Sequence, residues 1–317
     1  MTHTDKISTS LVLGSGGARG LTHIGVIRCL EEKGYGVDDV AGSSIGALIG
    51  GIYAAGKLDV YADWVTQLQR TDVLRLLDPS LSGDALLKGV RIINVLRDLI
   101  GDYEIEALPI GFTAVATDLA NAGSGREVWI NRGPMFEAIR ASIAVPSIFA
   151  PVHKNGQLLV DGSVLNPLPV GPSLHRPTRV TVAVNLNGRY DTTRKLPVLA
   201  TQAAQPEMPD DEEASYTEIF GQFLSKVWPA STESPVVKLG LTEVALRSME
   251  AMQASITDFR LAANMPSVVV NIPSNLCSFF DFHRAHELIE FGYERASKAI
   301  DEFEANYPSL VGKAPPD

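Results

Sequence analysis

Ser10 to Leu13 is a short apolar run that ends in Gly14-Ser15-Gly16-Gly17, and Leu21, Ile24, Ile27 and Leu30 then recur at near-helical spacing up to Gly34. The pattern predicts a strand, a glycine loop and a helix. A second unit follows at once: Val37 to Ala41 leads into Gly42-Ser43-Ser44-Ile45-Gly46, then into a helix whose Ala47, Gly50, Gly51, Ala54 and Ala55 allow close packing on a sheet. Residues 58–100 read as irregular helix, periodic over Val60–Leu68 and Leu86–Ile100 and broken near Pro79, suited to a cap over a site. Ile110–Thr117 and Val128–Ile130 read as strands and Pro134–Ser142 as a helix with proline near its first turn. Asn155-Gly156 marks a hairpin turn before a strand at Leu158–Val160. Arg179–Asn185 and Ser267–Ile272 are β-branched runs suited to buried strands, and His283–Phe303 is an amphipathic closing helix.

This alternation predicts an α/β fold, a three-layer α/β/α arrangement around a mainly parallel central sheet. One domain spans 8–305, with 58–100 and 188–260 as cap or lid regions and 306–317 as a C-terminal tail. Within the second region, Gly188–Ser215 carries Pro197, Pro206, Pro209 and the acidic run Asp210–Glu213, and reads as a long solvated excursion. Met249 and Met252, three residues apart, read as core.

Composition narrows the functional classes. Hydrophobic residues at 45% and charged residues at 20% are ordinary globular usage. A formal net charge of −10 opposes binding to nucleic acid and strong attraction to anionic lipid, so any peripheral membrane contact would rest on apolar surface. Cys29 and Cys277 are too few for a disulfide framework and lack metal-ligand spacing, and read as buried thiols. The N-terminus is polar, and the most apolar stretch, Ile45–Ala55, is far shorter than the ~20 residues of a spanning helix. A cytoplasmic protein is expected. The oligomeric state is not readable.

Candidate chemistry sits at the two glycine-rich turns. Gly42-Ser43-Ser44-Ile45-Gly46 fits GxSxG, a pattern that exposes Ser44 on a sharp strand-to-helix turn, although a small-residue helix cap has the same look. The loop Gly14 to Gly20 brings backbone N–H groups to a helix N-terminus, where they can hold an oxyanion or a phosphate. A strict dinucleotide fingerprint fails, because Arg19 stands at the last glycine position; the looser GxGxxxG survives through Gly14, Gly16 and Gly20, but without the acid expected after the next strand. Asp161, in Asp161-Gly162-Ser163, follows a strand-like run as a site carboxylate on a turn would, or as a plain aspartate turn would.

Taken together, LGSGGARGLTHIGVI, AGSSIG and DGS resemble the glycine loop, nucleophile elbow and aspartate motif of the patatin-like phospholipases. The resemblance continues in order through SIAVPSIFAPV and DFHRAHELIEFGYERA, roughly residues 8 to 300, and is greatest to small stand-alone bacterial members. It implies Ser44 as nucleophile within an elbow bounded by Gly42 and Gly46, Asp161 as its dyad partner, and Gly16 and Gly17 with Arg19 as the oxyanion loop. Where many members have three consecutive glycines, this chain has Ser15, Gly16 and Gly17, and its aspartate motif ends in Ser163. The implied activity is hydrolysis of carboxylic esters of lipids or other fatty-acyl compounds, with no metal or organic cofactor. A regulatory protein that keeps the fold without turnover, or an acyltransferase, would carry the same motifs.

Histidine is formally available, since Ser44, Asp161 and His283 fall in α/β-hydrolase order. That topology builds several strands before its nucleophile, whereas only one βα unit and a second strand precede Ser44, so a dyad is expected. His283 and His286 read as a solvated helix face, and His23 as a packed side chain near the glycine loop.

Overall fold

The computed structural model describes residues 6–76, 87–121, 123–174, 177–193 and 241–312. Strand β1 (Ile7–Leu13) runs through a 3-10 turn at Gly17–Leu21 into α1 (Thr22–Glu32), and β2 (Tyr35–Ser43) into α2 (Ile45–Ala54). Three helices follow, α3 (Leu58–Thr66), α4 (Arg70–Leu76) and α5 (Val90–Ile100), before β3 (Gly111–Asp118) and β4 (Arg126–Ile130). Then come α6 (Met135–Ser142), the hairpin β5 (Val152–Lys154) and β6 (Gln157–Asp161), the short α7 (Val170–Ser173) and β7 (Val180–Gly188). The 23-residue α8 (Leu241–Ala263), β8 (Val268–Pro273) and α9 (Ala285–Asn306) complete the described elements.

The strand order is β5-β6-β3-β2-β1-β7-β8, with β4 paired to β3. Pairs β1–β2, β1–β7, β2–β3 and β7–β8 are parallel, and antiparallel pairing is confined to β3–β4, β3–β6 and β5–β6. Side-chain alternation along β1 divides the core, as a period of two requires. Leu11 and Leu13 join the large cluster under α1, α2 and α9, whereas Val12 packs with Leu168, Val170, Ala183 and Leu261 on the other face. Helices therefore cover both faces of a mainly parallel sheet, as the alternation predicts.

Both excursions from this frame lie partly outside the described residues. The described residues of 58–100 form three separate helices, and the expected break at Pro79 lies outside the described residues, as do 194–215 of the acidic excursion. Met252 is not core: it is 58% exposed, because α8 turns the polar Gln253 and Thr257 inward and presents Met252 and Phe259 to solvent. The thiols of Cys29 and Cys277 are free and buried. Among the described residues no helix is long and apolar enough to cross a membrane.

Glycines set the closeness of α1 and α9. A Cβ on Gly25 would lie 1.9 Å from the Ile289 carbonyl oxygen, and one on Gly292 would lie 2.1 Å from that of Thr22. These contacts are to backbone, which cannot rotate away. Gly25→Ala and Gly292→Ala are each expected to destabilise the fold by about 1–3 kcal/mol, the usual cost of overpacking. Urea midpoints at constant m-value measure it, and an unchanged midpoint for both variants would contradict this packing.

Candidate functional site

β1 and β2 are neighbours, so the loops leaving their C-terminal ends lie side by side. The chain turns from β1 to β2 on one side and to β7 on the other, so the glycine loop lies where the strand order reverses, the usual place for a ligand crevice in an open α/β sheet. In that loop the N–H groups of Gly14, Ser15 and Ala18 donate to the carbonyls of Val184, Pro167 and Phe279 at 3.1, 2.9 and 2.9 Å. The N–H groups of Gly16 and Gly17 make no hydrogen bond among the described residues, as befits the start of a helical turn. Gly17 has φ +57, a left-handed conformation suited to glycine, and packs on the ring and carbonyl of Phe279.

Ser44 terminates β2 with φ 56 and ψ −125, a sparsely populated conformation for a non-glycine residue. Several contacts hold it there. Its N–H donates to Ser142 Oγ at 3.0 Å, and Ser142 Oγ–H in turn donates to the Val115 carbonyl at 2.6 Å. Its carbonyl accepts from the N–H groups of Ala47 and Leu48 at 2.9 and 3.1 Å, starting α2. The elbow glycines are sterically required: a Cβ on Gly42 would meet the Gly46 carbonyl at 2.4 Å, and one on Gly46 the Leu13 carbonyl oxygen at 2.1 Å. Ser43 is wholly buried, whereas Ser44 lines a cavity.

Asp161 reaches Ser44 through the shared strand β3. Ser43 pairs with Val115, and Asp161, arriving from the antiparallel β6, pairs with the next residue, Ala116. Gly162 permits the approach, since a Cβ there would lie 2.1 Å from the Val115 carbonyl oxygen. As a result Ser44 Oγ–H donates to Asp161 Oδ2 at 2.6 Å. The other carboxylate oxygen accepts the Ser163 N–H at 2.8 Å. On α8, Gln253 Nε2 donates to Ser163 Oγ at 2.8 Å.

Asp161 is completely buried. Loss of hydration raises its pKa to about 6, against the lowering effect of the hydrogen bonds from Ser163 and Ser44. At neutral pH the carboxylate is still ionised by about ten to one, yet it holds a proton far more readily than an exposed aspartate.

The remaining sequence candidates are placed as follows. The Arg19 guanidinium is buried and turned from the cavity: it donates to the Ser274 carbonyl and pairs with Glu250 of α8 at 3.2 Å. His23 is buried, with Nε2 at 2.9 Å from the Gly14 carbonyl oxygen, and burial lowers its pKa to about 4, so it is neutral and braces the glycine loop. His283 is half-buried in a 3-10 turn ahead of α9, with its pKa lowered mainly by burial, and His286 is exposed beside Glu290. Among the described residues no histidine hydrogen-bonds Ser44 or Asp161. No group of three or more His, Cys, Asp or Glu among them could hold a metal ion.

The cavity at Ser44 has a volume of about 120 Å³. Gly17 and Ser44 line one end, and its walls are apolar side chains of α2 to α5, such as Leu48, Val65 and Leu96, with Phe149 and Phe279. Ser142 and Gln253 were not singled out from the sequence, and Ser163 only as the end of the aspartate motif. Ser142 opens the segment SIAVPSIFAPV and Ser163 closes the aspartate motif, so both lay inside readable motifs. Gln253 had no such signal.

A family model described as patatin-like phospholipase matches residues 11–174. The chain belongs to the patatin-like phospholipase family. An uncharacterized NTE family protein of Mycobacterium bovis is 37% identical, over 93% of this chain and 92% of the mycobacterial one. A lysophospholipase, NTE1, of Kluyveromyces lactis is 27% identical over 90% of this chain, which corresponds to 19% of that protein. The crystal structure of VipD from Legionella pneumophila aligns with a TM-score of 0.45 at 14% identity, over 94% of this chain and 67% of that one. Membership of a phospholipase family implies lipid substrates and is consistent with lipid ester hydrolysis.

The buried Asp161 carboxylate gives the candidate site a stability signature. A carboxyl whose pKa is higher folded than unfolded binds its proton more tightly in the native state, so that contribution is complete below the unfolded value of 3.8 and is lost as pH rises through about 6. Asp161→Asn carries no such titration. Wild type should therefore lose up to about 3 kcal/mol of stability relative to Asp161→Asn between these two pH values, with no further change above. Denaturant melts of both proteins across that range measure it; parallel stability profiles would mean that Asp161 is not desolvated.

Proposed function

We propose that the chain is a serine acyl hydrolase, cleaving carboxylic esters of lipids through a Ser44–Asp161 dyad with the glycine loop as oxyanion hole. The observation that carries this reading is the 2.6 Å hydrogen bond from Ser44 Oγ to a buried carboxylate, at the mouth of an apolar cavity that Gly17 also lines. Asp161 takes the hydroxyl proton as Ser44 Oγ attacks the ester carbonyl, and its raised pKa suits it to hold that proton and return it to the leaving alcohol. Developing charge on the carbonyl oxygen is met by the uncommitted N–H groups of Gly16 and Gly17. The Ser44 N–H is not available for this, being donated to Ser142. Asp161 then activates a water that releases the acyl group.

In this reading the acyl chain lies in the apolar cavity, and α3, α4 and α5 serve as its cap. Arg19 supports the oxyanion loop from behind by fastening it to Ser274 and Glu250, and does not itself touch the substrate. Ser163 and Gln253 orient the carboxylate so that one oxygen faces Ser44.

Hydrolysis of a soluble aryl ester by a set of variants tests this. Ser44→Ala is expected to abolish turnover, and Asp161→Asn to lower kcat/KM by roughly a thousandfold, the scale of a lost general base. His23→Ala, His283→Ala and His286→Ala should each stay within about tenfold of wild type. The wild-type kcat/KM should fall on the acid side with an apparent pKa near 6. A folded His283→Ala protein as inactive as Ser44→Ala would replace the dyad by a triad.

A further inference from the structure

Helix α8 turns polar side chains inward and apolar ones to solvent, the reverse of what burial alone favours. Thr257 donates to the Gln253 carbonyl of its own helix. Three other side chains, on the same face as it by their helical spacing, reach off the helix. Glu250 pairs with the buried Arg19 guanidinium at 3.2 Å, Gln253 Nε2 donates to Ser163 Oγ at 2.8 Å, and Arg260 donates to Glu127 at 2.9 Å and to the Leu165 carbonyl at 3.3 Å. The first two contacts end on the two halves of the site. Arg19 lies against the glycine loop, since a Cβ on Gly16 would be 3.2 Å from its Nε, and the Ser163 N–H donates to the Asp161 carboxylate at 2.8 Å. Gln253 and Ser163 are both buried, so little water competes for the bond between them. A methionine at 253 would fill much the same space without the cost of burying an amide. In the sheet, β2 and β3 separate β1, which ends in the glycine loop, from β6, which ends in Asp161. One turn of α8 bridges that separation.

We propose that α8 is a clamp that holds the glycine loop and the dyad in one fixed relation, with Glu250 and Gln253 as its positioning residues. The inference rests on the reading of Ser44 and Asp161 as the dyad and of the glycine loop as oxyanion hole, and adds that the two halves are set together. Nucleophile and oxyanion donors act on one carbonyl group, so a displacement of one against the other by about 1 Å lowers the rate by roughly a hundredfold. Glu250 and Gln253 project from a single helical turn, so loosening either contact loosens the turn and reaches the other. Arg260 still ties the helix to Glu127 and Leu165 when one of them is lost, which keeps α8 in place. Neither residue touches the substrate. Gln253 acts through Ser163, and Glu250 through Arg19.

Amide hydrogen exchange followed by mass spectrometry, on wild type, Glu250→Gln and Gln253→Met, tests the coupling without turnover. Each variant should exchange about threefold faster or more in both segments 14–20 and 162–166, with α1 unchanged. Faster exchange confined to the segment that the altered side chain serves, or no change in either, overturns the proposal. A second arm uses hydrolysis of a soluble aryl ester. Gln253→Met should lower kcat about tenfold with KM within about threefold, and should raise the apparent pKa of the acid limb, because Asp161 loses a well-placed N–H bond that favours its ionised form. In a Ser163→Ala background the same substitution should have no further effect. An unmoved acid limb, or a full additional loss in that background, overturns the role of Gln253. Should Gln253→Met fail to fold, Ser163→Ala removes the same hydrogen bond and must speed exchange in both segments. Absence of hydrolysis by folded wild type would count against the hydrolase reading, and the exchange arm then still decides the clamp.

Discussion

One strand, β3, acts as the template on which the site is assembled. It receives β2 at Val115 and β6 at Ala116, and the two strands bring Ser44 and Asp161 to its C-terminal half from opposite directions. A slip of one residue in the β3–β6 register would turn the aspartate to the other face of the sheet, because side chains alternate with a period of two. Gly162 and Gly46 are required by the same constraint, since each sits where a backbone carbonyl leaves no room for a Cβ. The hydrogen bond between Ser44 and Asp161 is the result of that register.

Two unfavourable features converge on this point: a serine at positive φ and a carboxylate wholly removed from water. Each costs on the order of a few kcal/mol, and each persists because the surrounding structure fixes it. Ser142 secures the strained N–H of Ser44, and the Ser163–Gln253 pair secures the carboxylate. The same burial that penalises Asp161 raises its affinity for a proton toward the range a general base needs, which explains how the proposed chemistry could proceed without histidine.

Much of this could be read from the chain, for reasons that differ by element. β1, β2, β7 and β8 are apolar, β-branched runs bounded by turn residues, and hydrophobic periodicity marks such strands well. The hairpin at Asn155-Gly156 was visible because both residues adopt the positive φ that their types favour. Ser44, Asp161, Gly16 and Gly17 were legible as members of motifs. Arg19 illustrates the limit: the motif names it, but only the fold reveals that its guanidinium serves Ser274 and Glu250. Helix α8 was the least legible element. It reverses the usual pattern, with Gln253 and Thr257 buried and Met252 and Phe259 exposed, so periodicity pointed its methionine inward. The cavity residues carry no local signal, because a wall built from four helices exists only in the folded chain.

The proposed function turns on Ser44 being a nucleophile activated by a buried Asp161. Labelling the intact protein with a fluorophosphonate, mapping the adduct by mass spectrometry and measuring the rate against pH tests it most directly. A single adduct is expected on Ser44, formed at a rate that falls away below pH of about 6 and is lost in Asp161→Asn. An adduct on Ser43 or on another residue, or an undiminished rate in Asp161→Asn, would contradict it.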